Sequence, residues 1–216
     1  MKYWLRNIIL LSFITVSGNT KAQSYSEVVN NLSVRFAPLS LIDFYNGSSY
    51  KLGFEKKLFQ STSFHADFGG YFKNFNGLKN CTGFNADIGL RYYFIDKQIN
   101  QGTYLTLNYF YKEQGFNKHD SIQSNPTYFK EYRTQKYVTC LNLNIGYLEI
   151  FYDRLILDVF GGFGVRFKKV NSTLQDEEFE NAIYYSDSQS DYFIVRPGKY
   201  VRLNFNVRFR VAYRIF

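Results

Sequence analysis

The segment at the carboxyl end limits the fold of this chain more than any other feature. From residue 199 to residue 216, apolar and polar side chains alternate almost without interruption. The apolar positions are Val201, Leu203, Phe205, Val207, Phe209, Val211, Tyr213 and Ile215, and the polar positions are Arg202, Asn204, Asn206, Arg208, Arg210 and Arg214. A period of two predicts a β-strand with one apolar face. At about 3.3 Å per residue this strand is long enough to cross a bilayer at a tilt.

Seven other segments repeat the same alternation. It is strong over residues 84–94, 141–147 and 155–168, and weaker over residues 32–36, 50–55, 64–70 and 105–112. Beyond residue 22 there is no apolar run of roughly 18 residues, which excludes a helical membrane protein. Eight is an even number, as closure of a bacterial barrel requires, and closure leaves no unpaired strand edges in lipid. The sequence therefore predicts an all-β fold, an eight-stranded antiparallel up-and-down transmembrane β-barrel.

The amino-terminal segment is typical of an export signal. Lys2 and Arg6 precede an apolar stretch over residues 8–16, and a small-residue cleavage pattern ends at Ala22. This order predicts a cleaved signal peptide over residues 1–22 and one barrel domain over residues 23–216. Cleavage reduces the 26 basic residues to 23 against 18 acidic ones, so the mature chain is only mildly basic. The sequence gives no support for nucleic acid binding.

The two longest predicted connections are the fifth, over residues 113–135, and the seventh, over residues 169–199. Both are odd-numbered, which predicts that they lie outside the cell if the first strand rises from the periplasm, because outer-membrane barrels have short periplasmic turns. The seventh is rich in acidic and aromatic residues. Such a loop could hold divalent cations against lipopolysaccharide or dock a protein partner. The candidate interaction residues are Asp176, Glu177, Glu178, Phe179, Tyr184 and Tyr185.

Charged residues recur on the polar faces of the predicted strands and should therefore point into the lumen. The predicted lumen network is Arg35, Glu55, His65, Asp67, Asp87, Arg91, Asp158, Arg166, Arg202, Arg208, Arg210 and Arg214. An eight-stranded barrel is just wide enough for side chains to fill, so interdigitated ion pairs are the main expectation. The alternative is an anion-selective passage or a pocket for an acidic ligand, since clustered cations focus potential in a narrow lumen.

No catalytic, cofactor or metal site is predicted. His65 shares its face with Asp67 and could lie near Asp87, an arrangement that could orient a catalytic base, but no serine follows it at the expected spacing. His119 has no second His or Cys near it. Cys81 and Cys140 lack the spacing of a zinc site, and whether they form a disulfide is left open.

On these residues the chain resembles the small eight-stranded outer-membrane β-barrel proteins of Gram-negative bacteria, of the OmpA-barrel and OmpX type. The resemblance covers the mature chain as a pattern, together with the stretches at residues 36–41 and 50–55. It implies insertion into outer-membrane lipid by the barrel-assembly machinery, which recognises a terminal aromatic residue. Tyr213, Ile215 and Phe216 are the matching assembly signal, although Phe216 is out of phase with the apolar positions before it.

The predicted function is that of a non-enzymatic integral outer-membrane barrel with a side-chain-filled lumen. Its two long connections would serve surface interaction, adhesion or envelope integrity, in contact with outer-membrane lipid and lipopolysaccharide and with a protein partner at the loops. Two alternatives are an outer-membrane lipid-modifying enzyme that uses His65 and a soluble periplasmic barrel that binds a lipid-like ligand.

Overall fold

The computed structural model describes residues 32–42, 48–59, 61–73, 79–94, 102–124, 126–151, 154–175, 177–178, 181–183 and 196–215. All of them belong to one compact unit of the chain. Several sequence predictions fall outside the described residues. These are the signal peptide over residues 1–22, Phe216 of the assembly signal, and the loop residues Asp176, Phe179, Tyr184 and Tyr185.

Eight antiparallel strands are hydrogen-bonded in a ring, which confirms the predicted fold class. The strands are β1 (Leu32–Phe36), β2 (Ser48–Phe59), β3 (Thr62–Lys73), β4 (Lys79–Tyr93), β5 (Gly102–Ile122), β6 (Tyr128–Phe151), β7 (Leu155–Ser172) and β9 (Gly198–Arg214), with a two-residue β8 (Ala182–Ile183) outside the ring. Each ring strand pairs with the next, and β9 pairs with both β7 and β1 to close it. A short 3-10 helix, Pro38–Ile42, follows β1. No helix among the described residues is long and apolar enough to cross a membrane.

The polarity of the barrel is the reverse of a soluble protein's. Large apolar side chains such as Leu143, Phe163 and Val207 lie exposed on the outside of the wall. Charged and amide side chains, among them Arg91 and Asn108, are buried inside. Period-two alternation produces both faces at once, because neighbouring residues of a strand point to opposite sides of the sheet.

The predicted fifth connection is mostly strand. Residues 113–122 continue β5 and residues 128–135 belong to β6, so that only residues 123–127 join the two strands. The prediction of a long loop over residues 113–135 is therefore wrong. This hairpin extends beyond the apolar band of the wall, and apart from Phe129 near its tip its outward side chains, Glu113, Asn117, Glu131 and Arg133 among them, are polar or small. Without an apolar face the segment lacks the alternation by which the other strands are recognised.

The predicted seventh connection is shorter than residues 169–199. Strand β7 continues to Ser172 and β9 begins at Gly198. Between them, β8 pairs with the end of β5, with Ile183 opposite Ser121 and Ala182 opposite Ile122. The described part of this connection is therefore attached to the β5–β6 hairpin. We call the end of the barrel that carries this hairpin the hairpin end, and the opposite end, with Leu32 and Arg214, the terminus end.

Glycines on the inside of the wall let side chains meet across an intervening strand. Two strands that flank a third one lie roughly 10 Å apart. Short side chains on the outer two cannot meet across that distance if the middle strand carries a side chain at the same level. In the register of the ring, Gly162 of β7 lies between Asn144 of β6 and Asn206 of β9. Across this glycine the Asn206 amide nitrogen donates to Asn144 Oδ1 at 2.9 Å.

The same arrangement recurs at three other glycines. Gly164 lies between Asn142 and Asn204, whose side chains hydrogen-bond at 2.6 Å. Gly53 lies between Arg35 and Asp67, which form an ion pair at 2.7 Å. Gly89 lies between His65 and Asn108, which are in contact at 2.9 Å. The interior network therefore depends on glycines placed at particular register positions.

We expect Gly162→Ala to destabilise the barrel and Gly161→Ala to leave its stability nearly unchanged. A Cβ at Gly162 would lie 2.6 Å from Asn144 Oδ1, whereas at Gly161 the nearest atoms are 3.3 and 3.5 Å away. Overpacking of this kind costs about 1–3 kcal/mol. Urea unfolding of the folded protein in neutral detergent, followed by circular dichroism, would measure both changes. Equal stability of the two variants would contradict the proposed role of Gly162.

Candidate functional site

The terminus end of the lumen is closed by an apolar cluster. Its buried members are Tyr93, Tyr104, Leu148, Ile156, Phe160 and Ala212. The rings of Tyr93 and Tyr104 lie 5.7 Å apart. Their hydroxyl groups point toward the charges above them, because Tyr93 donates to Glu55 Oε1 at 2.6 Å and Tyr104 donates to Asp158. The cluster fills the space that would otherwise connect the lumen to this end of the barrel.

Next to this cluster lies a buried charge network. Its carboxylates are Glu55, Asp67, Asp87 and Asp158, and its cations are Arg35, Lys51, Arg91, Arg208 and Arg210. The exposed fraction of Arg91 is 0%, and its guanidinium bridges Glu55 at 2.9 Å and Asp158 at 2.5 Å. Burying charges is tolerated when each is paired and hydrogen-bonded. Every carboxylate of the network meets at least one arginine.

His65 lies inside this network and is fully buried. Its Nε2 contacts the Asn108 side-chain nitrogen at 2.9 Å and is 3.8 Å from Asp87 Oδ1. Asn108 also donates to Asp87 at 2.7 Å. Among the described residues, no serine, threonine or cysteine side chain hydrogen-bonds to His65. The polar network therefore holds the ring through Nε2, while among the described residues Nδ1 has no hydrogen-bond partner.

Toward the hairpin end, the lumen is open as a cavity of about 740 Å³. The lining contains Lys51, Lys112, Lys136, Arg166, Lys168, Arg202, Arg208 and Arg210, and among the described residues no Asp or Glu lines it. Lys51, Arg208 and Arg210 reach down from it to Asp87. Side chains fill the lumen at the terminus end, as predicted from the sequence for the whole lumen, whereas the half toward the hairpin end holds this cavity. The other half is open beside β9, where β1 is too short to continue the wall.

The structure separates the twelve predicted lumen residues into three groups. Nine of them lie in the network just described or contact it, namely Arg35, Glu55, His65, Asp67, Asp87, Arg91, Asp158, Arg208 and Arg210. Arg166 and Arg202 line the cavity, where Arg166 donates to Asn204 and Arg202 lies 5.7 Å from the Tyr200 ring. Arg214 is half-buried at the terminus end, in register with Ser33.

The predicted lumen network left out the amide and lysine residues of the interior. Asn108, Asn142, Asn144, Asn204 and Asn206 connect four strands through their side chains. The sequence carries a signal for two pairs, Asn142 with Asn204 and Asn144 with Asn206. The pattern Asn-x-Asn occurs in both β6 and β9, and Gly-x-Gly occurs in β7, which lies between them. That signal has meaning only once the register of the strands is known.

At the hairpin end, Glu178 joins the seventh connection to β6. Lys130 Nζ approaches both carboxylate oxygens of Glu178 at 2.6 Å, and the Tyr128 hydroxyl donates to it at 2.8 Å. The hydrogen bonds from Lys130 lower the pKa of Glu178 below its usual value. The predicted loop residue Glu177 is exposed next to it. Two predicted interaction segments, the hairpin and the seventh connection, are thus brought together in one surface.

The remaining predicted residues have simpler surroundings. Cys81 and Cys140 are both buried and free, so they form no disulfide. The ring of His119 stacks on Phe129 with centroids 5.5 Å apart. In the described part of the chain, no group of three or more His, Cys, Asp or Glu residues could hold a metal ion. Of the predicted assembly signal, Tyr213 and Ile215 are exposed on the outer face of the barrel at the terminus end.

Comparison with known proteins gives no relative. No protein-family model matches this chain, and no curated protein and no solved structure is significantly similar to it. The ring of eight antiparallel strands fits the architecture of a small β-barrel, and the resemblance rests on that architecture alone. Membership in the OmpA or OmpX families has no support from sequence similarity.

We expect Arg91→Met and Asp158→Leu each to lower the free energy of unfolding of the barrel strongly. The double variant should lose less free energy of unfolding than the sum of the two single losses. Removing one partner of a buried ion pair leaves an uncompensated charge, at about 3–5 kcal/mol. Because the two side chains touch at 2.5 Å, their effects should be non-additive by at least about 0.5 kcal/mol. Urea unfolding gives all three values. Lys169→Met on the outer face is the control, and strictly additive losses would refute the coupling.

Proposed function

We propose that this protein is a non-enzymatic integral barrel of the outer membrane of a Gram-negative bacterium. The observation that carries the proposal is the reversed polarity of the wall. Strand after strand exposes apolar side chains, as in Leu141, Leu143 and Ile145 of β6, while their neighbours Asn142 and Asn144 are buried inside. In water such a surface would drive aggregation, whereas in lipid it is the expected exterior of a spanning barrel.

The dimensions of the apolar surface also support a membrane. On β7 the outward apolar positions extend from Leu155 to Phe167. Twelve steps of roughly 3.3 Å, tilted by about 40°, give an apolar height of about 30 Å, close to the band of an outer-membrane barrel. Exposed aromatic residues lie toward both limits of the band, with Tyr147 and Tyr213 at the terminus end and Phe167 and Phe84 toward the hairpin end. Closure of the ring satisfies the backbone in the same region.

The two alternative functions have less support. A soluble barrel that binds a lipid in its interior needs an apolar lumen, and the lumen of this chain is charged. A lipid-modifying enzyme that uses His65 needs that residue to reach substrate, and the exposed fraction of His65 is 0%. We therefore propose that the export signal, the assembly signal and the apolar wall serve a membrane protein without catalytic activity.

The surface activity of the protein is proposed to lie at the hairpin end. The β5–β6 hairpin extends about ten residues past the apolar band, and β8 and Glu178 attach the seventh connection to it. Phe129 and Tyr128 lie exposed near its tip. Exposed aromatic residues on a rigid hairpin are favourable anchors for a partner. Adhesion, envelope integrity or binding of another protein would all use this surface.

We expect Leu143→Arg to destabilise the barrel in lipid vesicles and Gln135→Arg to have little effect. Both residues point outward from β6, but Leu143 lies within the apolar band and Gln135 beyond it. An arginine facing the middle of a bilayer costs about 2–4 kcal/mol, falling to about 0–1 kcal/mol near its edge. Urea unfolding from vesicles measures the difference. A barrel that is soluble in the periplasm would instead tolerate both changes equally and be recovered without membranes.

We expect a photo-crosslinking residue at position 129 to trap a specific partner on intact cells. Phe129 is exposed at the hairpin end, while Phe151, at the other end of the same strand, is the matched control position. The proposal predicts one adduct of higher mass from position 129 and none of that mass from position 151. Either no adduct from position 129 or the same adduct from both positions would contradict a partner-binding role for the hairpin.

A further inference from the structure

The wall of the barrel is incompletely paired beside β9. Strand β1 is only five residues long, and its pairing with β9 runs from Ser33 opposite Arg214 to Phe36 opposite Val211. Among the described residues, the edge of β9 that faces β1 has no strand partner from Gly198 to Arg210. The chain instead leaves the wall at Ala37 and enters the 3-10 helix Pro38–Ile42.

The 3-10 helix is hydrogen-bonded to β2. Ala37 N–H donates to the Lys51 carbonyl at 3.2 Å, and the Ser40 hydroxyl donates to the Ser49 carbonyl at 2.7 Å. In the described part of the chain no hydrogen bond joins this helix to β9. A seam therefore lies between the helix and β9, and it lies at the level of the outer apolar band, because Phe205 and Val207 of β9 belong to that band.

The cavity reaches this seam. Phe205 and Val207 point outward, with exposed fractions of 77% and 84%, and yet both line the cavity together with Leu39. An outward-facing residue can border an interior cavity only where the wall beside it is open. The cavity thus has an apolar margin at the seam and a cationic interior.

The charges of the cavity specify the sign of a ligand. Its arginines and lysines include Arg166 and Arg202, which are directly opposite in the register of β7 and β9 and are both exposed to the cavity. Among the described residues, Glu55, Asp67, Asp87 and Asp158 lie in the charge network below, where arginines pair with them, and none of them lines the cavity. Concentrated positive charge in a concave site attracts an anion. A volume of about 740 Å³ is that of a small-molecule site.

The hydrocarbon interior of a membrane restricts which backbone groups can lie unpaired at the seam. Unpaired backbone groups of a strand edge are costly in the hydrocarbon region unless they border a polar cavity or are covered. The edge of β9 that lacks a strand partner among the described residues borders the cavity and so meets this condition. A molecule with an anionic head and an alkyl chain would match both parts of the site, with its head among the cations and its chain leaving through the seam along Phe205 and Val207.

We propose that the cavity binds an anionic amphiphile, whose phosphate or carboxylate head group lies between Arg166 and Arg202 and whose alkyl chain passes through the seam between the 3-10 helix and β9. This site is separate from the hairpin surface. It also does not depend on a partner protein.

Equilibrium binding of radiolabelled dodecyl phosphate to the folded full chain in neutral maltoside detergent tests the proposal. The test variant is Arg166→Gln/Arg202→Gln. The control is Lys169→Gln/Lys199→Gln, because Lys169 and Lys199 are also directly opposite on β7 and β9 and also carry two charges, but on the outer face. Loss of charged hydrogen bonds should weaken binding by the test variant about tenfold or more. The control should bind within about twofold of the unchanged chain, since its charges lie outside the cavity.

The outcomes separate the sources of the anion. Dodecyl phosphate should bind, and inorganic phosphate at the same concentration should displace it poorly. Equal displacement by inorganic phosphate would assign the cavity to a soluble anion and overturn the amphiphile proposal. Absence of dodecyl phosphate binding, or equal binding by the test and control variants, would also overturn it. The measurement uses detergent micelles, so a negative binding result would not contradict the proposal of an outer-membrane barrel. That proposal is tested separately by the Leu143 and Gln135 variants.

Discussion

The interior of this barrel depends on side chains that reach over a glycine to a strand two positions away. Arg35 reaches Asp67 over Gly53, and the Asn206 amide reaches Asn144 over Gly162. A sheet hydrogen-bonds only neighbouring strands through its backbone, so these contacts tie together strands that the backbone does not join. They form because closure of eight strands curves the wall toward its own interior, and glycine leaves room for two side chains over the same position.

Contacts across the lumen explain why so many charges can be buried. Each carboxylate of the charge network is reached by cations from different strands, as Asp87 of β4 is reached from β2 by Lys51 and from β9 by Arg208 and Arg210. A charge that is satisfied from several sides costs much less to bury than one with a single partner. These four acids lie toward the terminus end, and among the described residues the lining of the cavity above them carries only positive charges.

Period-two alternation was enough to predict the ring of eight strands, because apolar and polar faces are a local property of each strand. The extended hairpin could not be predicted in this way. Residues such as Glu113 and Asn117 of β5 face outward beyond the apolar band, so nothing in their composition distinguishes them from a loop. Pairing of β8 with the tip of β5 is a contact between distant segments, for which a single sequence offers no signal.

The residues predicted for the lumen lie at inward-facing positions of the strands, but a cavity occupies the half of the lumen toward the hairpin end, and the length of β1 is the physical reason. A first strand as long as β9 would have paired along its whole edge, and its inward side chains would have occupied the space next to Arg202 and Asn204. Instead β1 ends at Phe36, and a helix that is bonded to β2 takes its place. Five residues of alternation in the sequence mark the segment as a strand, but they do not reveal that, among the described residues, most of the β9 edge beside it has no strand partner. An opening of this kind places a strand edge and a set of cations next to each other. A ligand whose anionic head pairs with the cations and whose alkyl chain covers the strand edge is therefore the expected occupant.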